Sequence, residues 1–260
     1  MAHLIALHEV GSNNPDGVEI KKNKDANGVP MDGVPFHPYY TVKDLWGVGV
    51  FLVLFAIVVF YVPEFGGWFL ESANFVPANP LQTPEHILPV WYFTPYYAIL
   101  RAIPDKLTGV LAMGASIVVL FFLPWIDRHP VKSIRYRGPL FAALIAVFVL
   151  TFLFLGYLGT QPPTRVLGEL GLRFGELYFS FFIVLWLYSR ERRASVHVNT
   201  FIVLAVLIAA ADMIRFDPGK VGLILWSALI PLVYYVVFVI GPIVTSLNEP
   251  RPVPERVVYR

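Results

Sequence analysis

The sequence predicts an all-α fold, a bundle of transmembrane helices. Of its 260 residues, 57% are hydrophobic, only 15% are charged, and 21 are phenylalanine. The apolar residues are gathered into long runs, several of them close to the roughly 20 residues that a helix needs to cross a bilayer. This composition excludes a water-soluble globular domain and indicates a protein that crosses the membrane several times.

Six apolar runs are long enough to be spans at a rise of about 1.5 Å per residue. They are residues 45–63, 107–126, 138–164, 172–189, 194–211 and 221–247. The third is expected to end near Gly159, and the fifth is short for a span. Residues 1–9 predict the cytoplasmic end of a truncated preceding helix, because turn-forming residues follow from Gly11 to Gly17.

The basic residues predict how these spans are oriented. Of the 20 Lys and Arg residues, 14 fall in segments on the side of the N-terminal loop and 6 on the opposite side. The positive-inside rule therefore predicts that both termini face the cytoplasm. The basic residues form short clusters between apolar runs. This distribution indicates how the chain is oriented in membrane lipid, and it is not typical of a protein that binds a nucleic acid.

Four segments follow from this topology. Residues 1–9 form the end of the preceding helix, and residues 10–44 a cytoplasmic loop. Residues 45–189 hold four spans with an outer loop at 64–106, and residues 190–260 hold two additional spans and a cytoplasmic tail.

The stretch from 79 to 104 in the outer loop is rich in proline and aromatic residues. Its prolines exclude a long helix, and its aromatic residues predict short stiff helices folded onto an apolar surface. Two interpretations stay open: a site for a flat lipophilic ring, or an aromatic belt that anchors the bundle at the interface. Four side chains in this stretch offer groups that accept protons or hydrogen-bond a ring: Glu85, His86, Tyr92 and Tyr97.

On the cytoplasmic side, His8, Lys43 and Asp44 lie where predicted helices meet the membrane surface. An imidazole and a carboxylate beside an apolar slot could supply the protons that reduction of a quinone to a quinol needs. The alternative is interfacial anchoring, which Lys43 alone fits. His3 is a candidate axial haem ligand, since an imidazole on a transmembrane helix is a common one, but a single histidine does not decide it.

Two further groups of charged residues predict structural roles. Glu169, Arg173 and Glu176 are spaced to share one helical face and neutralise each other. Asp212, Arg215 and Asp217 close the fifth span and predict a solvated turn. The chain has no cysteine, which excludes disulfides, thiolate metal sites and thiol catalysis.

Four stretches of the sequence carry a resemblance: His3–Pro15, Pro35–Asp44, Pro89–Phe93 and Tyr97–Arg101. Taken together and in this order, they resemble the C-terminal half of cytochrome b of the proteobacterial type. This is the haem and quinone subunit of the ubiquinol:cytochrome c reductase. The resemblance extends from about residue 2 to residue 189.

The resemblance implies a role for each matching position. His3 matches an axial ligand of a haem b whose other ligands lie outside this sequence. The positions that match the quinone-reduction site near the cytoplasm are His8, Ser12, Asn13, Phe36, Lys43 and Asp44. The positions that match the quinol-oxidation site on the outer face are Pro89, Trp91, Tyr92 and Tyr97. The implied substrates are ubiquinol and ubiquinone.

The sequence departs from the family at Val90, where the family usually has a glutamate that accepts a proton from quinol. Valine has no acidic group. We hypothesise that Glu85, the nearest carboxylate in the same loop, takes over this catalytic role. Residues 190–246 add two apolar runs that the usual eight-helix protein lacks.

The resemblance implies a multi-pass subunit of a cytochrome bc complex in a bacterial inner membrane. The complex would oxidise ubiquinol at the outer face and reduce quinone at the inner face, coupled to proton translocation in respiration. The implied partners are a Rieske iron–sulphur protein and a cytochrome c-type subunit, in a dimeric complex. The family's first three helices and most of the fourth have no counterpart in this sequence, which indicates either a truncated sequence or a split protein completed by an N-terminal chain.

The chain is therefore not expected to be active in isolation. The alternative function is a haem-free structural or transport bundle, or a non-functional fragment of cytochrome b.

Overall fold

The computed structural model describes residues 1–67, 70, 72–82, 87–162, 164–190, 193–215 and 217–257. Their regular structure is helical, and no strand is found within these ranges, so the predicted all-α fold is confirmed. The α-helices that they form are α1 (Ala2–Val10), α2 (Thr41–Tyr61), α3 (Thr94–Ala102), α4 (Lys106–Phe121), α5 (Leu123–Ile126), α6 (Pro139–Thr160), α7 (Arg165–Tyr188), α8 (Ala194–Ile214), α9 (Val221–Tyr235) and α10 (Gly241–Val244).

Five helical runs in the described ranges have the length and hydropathy of a membrane span. They are Phe36–Tyr61, Pro139–Thr160, Arg165–Tyr188, Ala194–Ile214 and Val221–Val244. Each corresponds to a predicted span. The remaining predicted span, residues 107–126, is α4 with 16 residues followed directly by the short α5. Pro124 lies in the first turn of α5, where a backbone N–H is not needed, and α4 ends just before it.

The chain divides into two compact units. The first contains Met1–Leu70, Val131–Gly138 and the described part of Pro250–Arg260. It includes α1 and α2, and no residue of α2 is buried. The second contains the described residues of Glu71–Pro130 and Pro139–Glu249, with α3 to α10.

In the second unit, the short helix α3 packs against α4, α6 and α7. Glycine allows this close approach. A β-carbon at position 159 of α6 would overlap the Thr94 carbonyl oxygen, and one at position 109 of α4 would lie 2.7 Å from the Leu100 carbonyl oxygen. The prediction of short helices in the proline-rich stretch is thus confirmed by α3 and by the 3₁₀ turn Trp91–Phe93 before it.

Aromatic rings fill the contact between α6 and α7. The Phe148 and Phe181 rings stack with centroids 3.9 Å apart, and Phe182 meets Phe148 edge-on at 5.8 Å. The Tyr178 hydroxyl donates to the Ser116 carbonyl oxygen at 2.7 Å, which ties α7 to α4. The buried hydroxyl thereby keeps a partner inside an apolar core.

A π-helical segment, Val236–Ile240, follows α9 and connects it to α10. Side chains of neighbouring helices bind its carbonyl groups. The Tyr188 hydroxyl donates to the Phe238 oxygen at 2.7 Å, and Nδ1 of the buried His197 donates to the Val239 oxygen at 2.9 Å. The two additional helices of residues 190–246 are therefore joined to each other and to α7 by specific hydrogen bonds.

Arg173 is fully buried at the centre of a cluster of ionic side chains from α7, α8 and α9. Its Nε donates to the Ser227 hydroxyl oxygen at 3.0 Å. Its terminal nitrogens bind Glu169 at 3.1 Å and Glu176 at 3.2 Å on the same helix. They also bind Asp212 of α8 at 2.6 Å. The predicted pairing on one face of α7 is confirmed, but α7 begins at Arg165, so the pairs lie well inside the helix.

Arg215, just after α8, completes this cluster. It binds both carboxylate oxygens of Glu169, at 3.1 and 3.2 Å, and Asp212 at 2.8 Å. The prediction that Asp212 and Arg215 form a solvated turn was therefore wrong: both point into the contact between α7 and α8. Asp217 does lie in a turn, where its carboxylate accepts a hydrogen bond from the Gly219 amide.

Candidate functional site

A cavity of about 500 Å³ lies in the first unit. Its lining combines aromatic and aliphatic side chains with amide, hydroxyl and charged groups. The lining residues are Ser12, Asn13, Asn14, Pro15, Ile20, Asp32, Val34, Phe36, Tyr39, Tyr40, Arg135 and Val257. This volume and this mixture suit a small ring-shaped ligand that carries polar substituents.

The loop that carries Ser12 and Asn13 is fixed by residues 133–136. The Ser133 hydroxyl donates to the Pro15 carbonyl oxygen at 2.6 Å. Arg135 and the Tyr136 hydroxyl both donate to Asp16 Oδ1, at 3.2 and 2.9 Å. Because Asp16 is only 2% exposed, these donors replace the water that its carboxylate loses. The polar wall of the cavity is thus held by a buried, charge-assisted network.

Asp32 lines the cavity and is bound by residues 256 and 257. Arg256 donates to Asp32 Oδ1 through Nε at 3.1 Å and through a terminal nitrogen at 2.8 Å. The Val257 amide adds a longer bond of 3.4 Å. The hydrogen bonds from Arg256 hold the pKa of the Asp32 carboxyl below its usual value. The carboxylate is therefore ionised at neutral pH.

The six predicted quinone-reduction residues fall into three groups. Ser12, Asn13 and Phe36 line the cavity. Lys43 approaches it indirectly: its ammonium group donates to the hydroxyl of the lining residue Tyr39 at 2.6 Å and lies 4.3 Å from the centre of that ring. His8 and Asp44 are described residues that are not among the lining set.

The hydrogen bonding of His8 determines which of its ring nitrogens is available. Nδ1 lies 2.8 Å from the Leu4 carbonyl oxygen, one turn earlier in α1. A carbonyl only accepts, so Nδ1 carries the proton and Nε2 of the neutral ring is an acceptor. An exposed imidazole in this state can exchange a proton through Nε2.

His3 is exposed on α1. No group of three or more His, Cys, Asp or Glu side chains that could hold a metal ion occurs among the described residues. An imidazole suits one axial position of a haem iron. Among the described residues, His3 therefore fits the role of one axial ligand of a haem. The second axial ligand and the residues around the porphyrin would have to come from sequence outside this chain.

The predicted quinol-oxidation residues occupy the turn before α3 and α3 itself. Trp91 and Tyr92 are 56% and 54% exposed, and their rings meet edge-on at 5.6 Å. Tyr97 is half-buried below the guanidinium group of Arg101, whose carbon lies 5.0 Å from the ring centre. Pro89 is half-buried and Val90 is exposed directly before the turn. Glu85 and His86 lie outside the described residues.

Arg101 fixes the position of this segment. One terminal nitrogen donates to the Leu158 and Gln161 carbonyl oxygens at 3.2 and 2.6 Å. Leu158 lies in the last turn of α6 and Gln161 follows the helix directly; the Leu158 oxygen also accepts from the Gln161 amide at 3.2 Å. Arg101 therefore joins the end of α6 to α3 and supports the Tyr97 ring.

The comparisons with known proteins concern these same segments. Residues 77–179 match the model of the family described as cytochrome b(C-terminal)/b6/petD. The cytochrome b of Allochromatium vinosum is 54% identical over 195 residues, which are 72% of this chain and 47% of that protein. The cytochrome b of Rickettsia typhi is 51% identical over 163 residues, which are 63% of this chain and 38% of that protein.

Residues 77–179 are thus similar to the C-terminal part of cytochrome b. A solved structure titled "Hyperthermophilic respiratory Complex III" agrees, with a TM-score of 0.64 and 41% sequence identity over 72% of this chain and 45% of that chain. The chain thus spans less than half the length of each of these relatives. The residues that match the family model include Trp91, Tyr92 and Tyr97.

Several residues that build the cavity were not identified from the sequence. Arg135 was counted only as a topology charge, Asp16 only as part of a run of turn formers, and Arg256 was given no role in a site. Tyr39 and Val257 carried no separate signal. Two aspartates in the polar loop of residues 10–44 could have suggested buried partners, but the sequence gives no means of pairing Asp32 with an arginine 224 positions away.

Proposed function

We propose that this chain forms the C-terminal part of the cytochrome b subunit in a bacterial respiratory bc complex, a ubiquinol:cytochrome c oxidoreductase. It contributes walls to a quinol-oxidising site at the outer face and a quinone-reducing site at the inner face. Both termini lie in the cytoplasm. The similarity supports the assignment to this subunit, and the single observation that carries the inner site is the cavity lined by Ser12, Asn13 and Phe36.

The inner cavity suits a quinone head group. Its aromatic side chains, Phe36, Tyr39 and Tyr40, offer faces for a flat ring. Asn13 and Arg135 offer donors for the two ring carbonyl oxygens. His8, Lys43 and Asp44 lie near the start and end of the loop that forms it and would move protons between the cytoplasm and the reduced ring.

The outer site is proposed at the turn before α3. Trp91, Tyr92 and Tyr97 provide aromatic surface and hydroxyl groups, and Pro89 fixes the backbone that leads into the turn. Because Val90 has no acidic group, we assign the proton-accepting role to Glu85. An unchanged rate and pH profile of quinol oxidation in Glu85→Gln would remove this assignment.

The electron carriers of this complex are haem b groups, and His3 would supply one axial ligand. The other ligands belong to an N-terminal part of cytochrome b, whether in the same polypeptide or in a partner chain. A Rieske iron–sulphur protein and a cytochrome c-type subunit would accept electrons from the outer site, in a dimeric complex. The haem supplies electron transfer, and this chain supplies pockets, proton acceptors and orientation.

The experiment uses the membrane complex purified through an affinity tag on this chain. We expect b-type haem absorbance, quinol-dependent reduction of cytochrome c, and quinone reduction at the inner site. Replacing Asn13 by Leu should lower the apparent affinity for quinone about tenfold through the loss of the proposed hydrogen bond to the ring. The matched control is Asn27→Leu, an exposed change in the same loop. Membranes with no b-type absorbance and no quinol oxidation would favour the haem-free bundle.

A further inference from the structure

A stretch near the C-terminus, residues 250–257, runs beside the loop of residues 10–44 in the first unit. It is named the 250–257 segment below. The segment follows the last helix and has an extended backbone at residues 251–254. Its residues 250, 252 and 254 are prolines, each with a fixed φ and no amide donor. Such a sequence is stiff, so a few contacts are enough to hold it with little loss of conformational entropy.

Three sets of polar contacts hold the segment in place. The Arg251 amide donates to the Tyr136 carbonyl oxygen at 2.8 Å. The Asn23 side-chain amide donates to the Glu255 carbonyl oxygen at 3.4 Å. Arg256 binds Asp32, whose side chain is only 5% exposed, at 2.8 Å. The contacts are thus distributed from one end of the segment to the other.

The last of these contacts lies at the cavity. Asp32 and Val257 both line it, together with Phe36 and the polar residues of the 12–15 loop. The Arg256–Asp32 pair therefore fixes the residue next to it, Val257, as part of the apolar lining.

We infer that the 250–257 segment positions the ring of the quinone in the inner site, with Val257 in contact with the ligand and Arg256 holding Val257 through Asp32. This inference rests on the proposed function of the cavity. Arg256 is a positioning residue, because it acts through Asp32 and Val257. The segment lies outside residues 77–179, the part that matches the family model, as do Ser12, Asn13 and Phe36.

Photolabelling tests the contact directly. The tagged complex is illuminated with a photoreactive ubiquinone analogue, and the labelled peptides are identified by mass spectrometry. We expect label on the peptide that contains Phe36 and on the peptide that contains Val257, with both reduced by excess ubiquinone. Label at Phe36 with none at residues 250–257 would overturn the inference. Label at neither peptide would instead overturn the proposed function of the cavity.

Variants test the positioning role. Arg256→Gln should weaken binding of a short-tailed ubiquinone at the inner site about five- to tenfold, since a charge-assisted hydrogen bond is lost. Val257→Ala should weaken it about threefold through the loss of apolar contact. The double change Asp32→Arg with Arg256→Asp restores the ion pair but not the bond that Asp32 accepts from the Val257 amide, so it should recover only part of the affinity.

The matched control is Arg251→Gln, which removes the same charge from the same segment. The structure uses the backbone amide of Arg251 for its contact, so binding should stay unchanged. Quinol oxidation at the outer site should stay unchanged in all of these variants. Equal weakening by Arg251→Gln and Arg256→Gln would show a general effect of charge and would overturn the positioning role.

Discussion

Replacing Arg173 by Met tests the ionic cluster that joins α7 to α8 and α9. Methionine has a similar length and no charge. The change leaves the carboxylates of Glu169, Glu176 and Asp212 with Arg215 as their one remaining cationic partner among the described residues. We therefore expect a strongly destabilised chain.

The magnitude follows from the burial and the distances. Arg173 is fully buried, and its carboxylate partners lie 2.6 to 3.2 Å away. A pair of unit charges about 4 Å apart contributes roughly 4 kcal/mol at an effective dielectric constant of about 20. Desolvation offsets much of this gain, and removal of one partner from a buried pair costs about 3–5 kcal/mol. We expect a loss of this size in the free energy of unfolding.

The assay is unfolding of the purified chain in detergent micelles, followed by tryptophan fluorescence during a titration with a denaturing detergent. Trp186 on α7 and Trp226 on α9 are native reporters of this contact. The control is Arg190→Met, an exposed arginine just after α7. If Arg173→Met unfolds at the same midpoint as Arg190→Met, the cluster does not stabilise the fold and the reasoning is refuted.

The balance of charge predicts that Glu176→Gln, unlike Arg173→Met, does not destabilise the chain. When all are ionised, three carboxylates face two guanidinium groups in this cluster. Neutralising Glu176 leaves equal numbers of each charge and keeps an oxygen that accepts from Arg173. We expect a stability equal to or above that of the parent chain. A loss as large as that of Arg173→Met would contradict this account of the charge.

Two further predictions concern Gly159 of α6, which packs against α3, and Asp105, which precedes α4. Gly159→Ala should destabilise the chain by about 2 kcal/mol or more, because the new methyl group overlaps the Thr94 carbonyl. Gly156→Ala, whose nearest contacts would be an ordinary 3.6 Å, is its control, and equal unfolding midpoints would contradict the packing. Asp105 caps α4 by accepting from the Thr108 amide and hydroxyl, at 2.7 and 2.6 Å, and these bonds lower its pKa. Its stabilising effect should be complete above its unfolded pKa near ~4 and be lost as the pH falls through the lower folded value. Asp105→Asn should remove this part of the pH dependence of unfolding, and an unchanged acid limb would refute the assignment.

Much of the fold could be predicted from local sequence patterns. Length and hydropathy located the spans, because each depends only on consecutive residues. The prolines of the 79–104 stretch excluded a long helix there, and its aromatic residues predicted short helices, of which α3 is one. The spacing of Glu169 and Arg173 predicted their pairing on one helix. These features share a physical basis, since each is determined by residues that are close together in the sequence.

The remaining features depend on which segments meet. The spacing of Asp212 and Arg215 at the end of α8 resembles that of a solvated turn, and only the contact with α7 makes both residues internal partners. The start of α7 was also missed, because charged residues in its first half interrupt the apolar pattern. The cavity in the first unit was only partly predicted, since Val257 and Asp32 are brought together from distant parts of the chain.

The ionic cluster also has a consequence for the biogenesis of this protein. Arg173 lies about 12 Å along α7 from its first residue, and an arginine at the centre of a lone inserting helix opposes partition into lipid by roughly 2.5–3.5 kcal/mol. Its partners Asp212 and Ser227 are synthesised later. The helix of residues 165–188 should therefore stay beside the translocon until Ser227 has left the ribosome, and all three helices should then be released into the bilayer together.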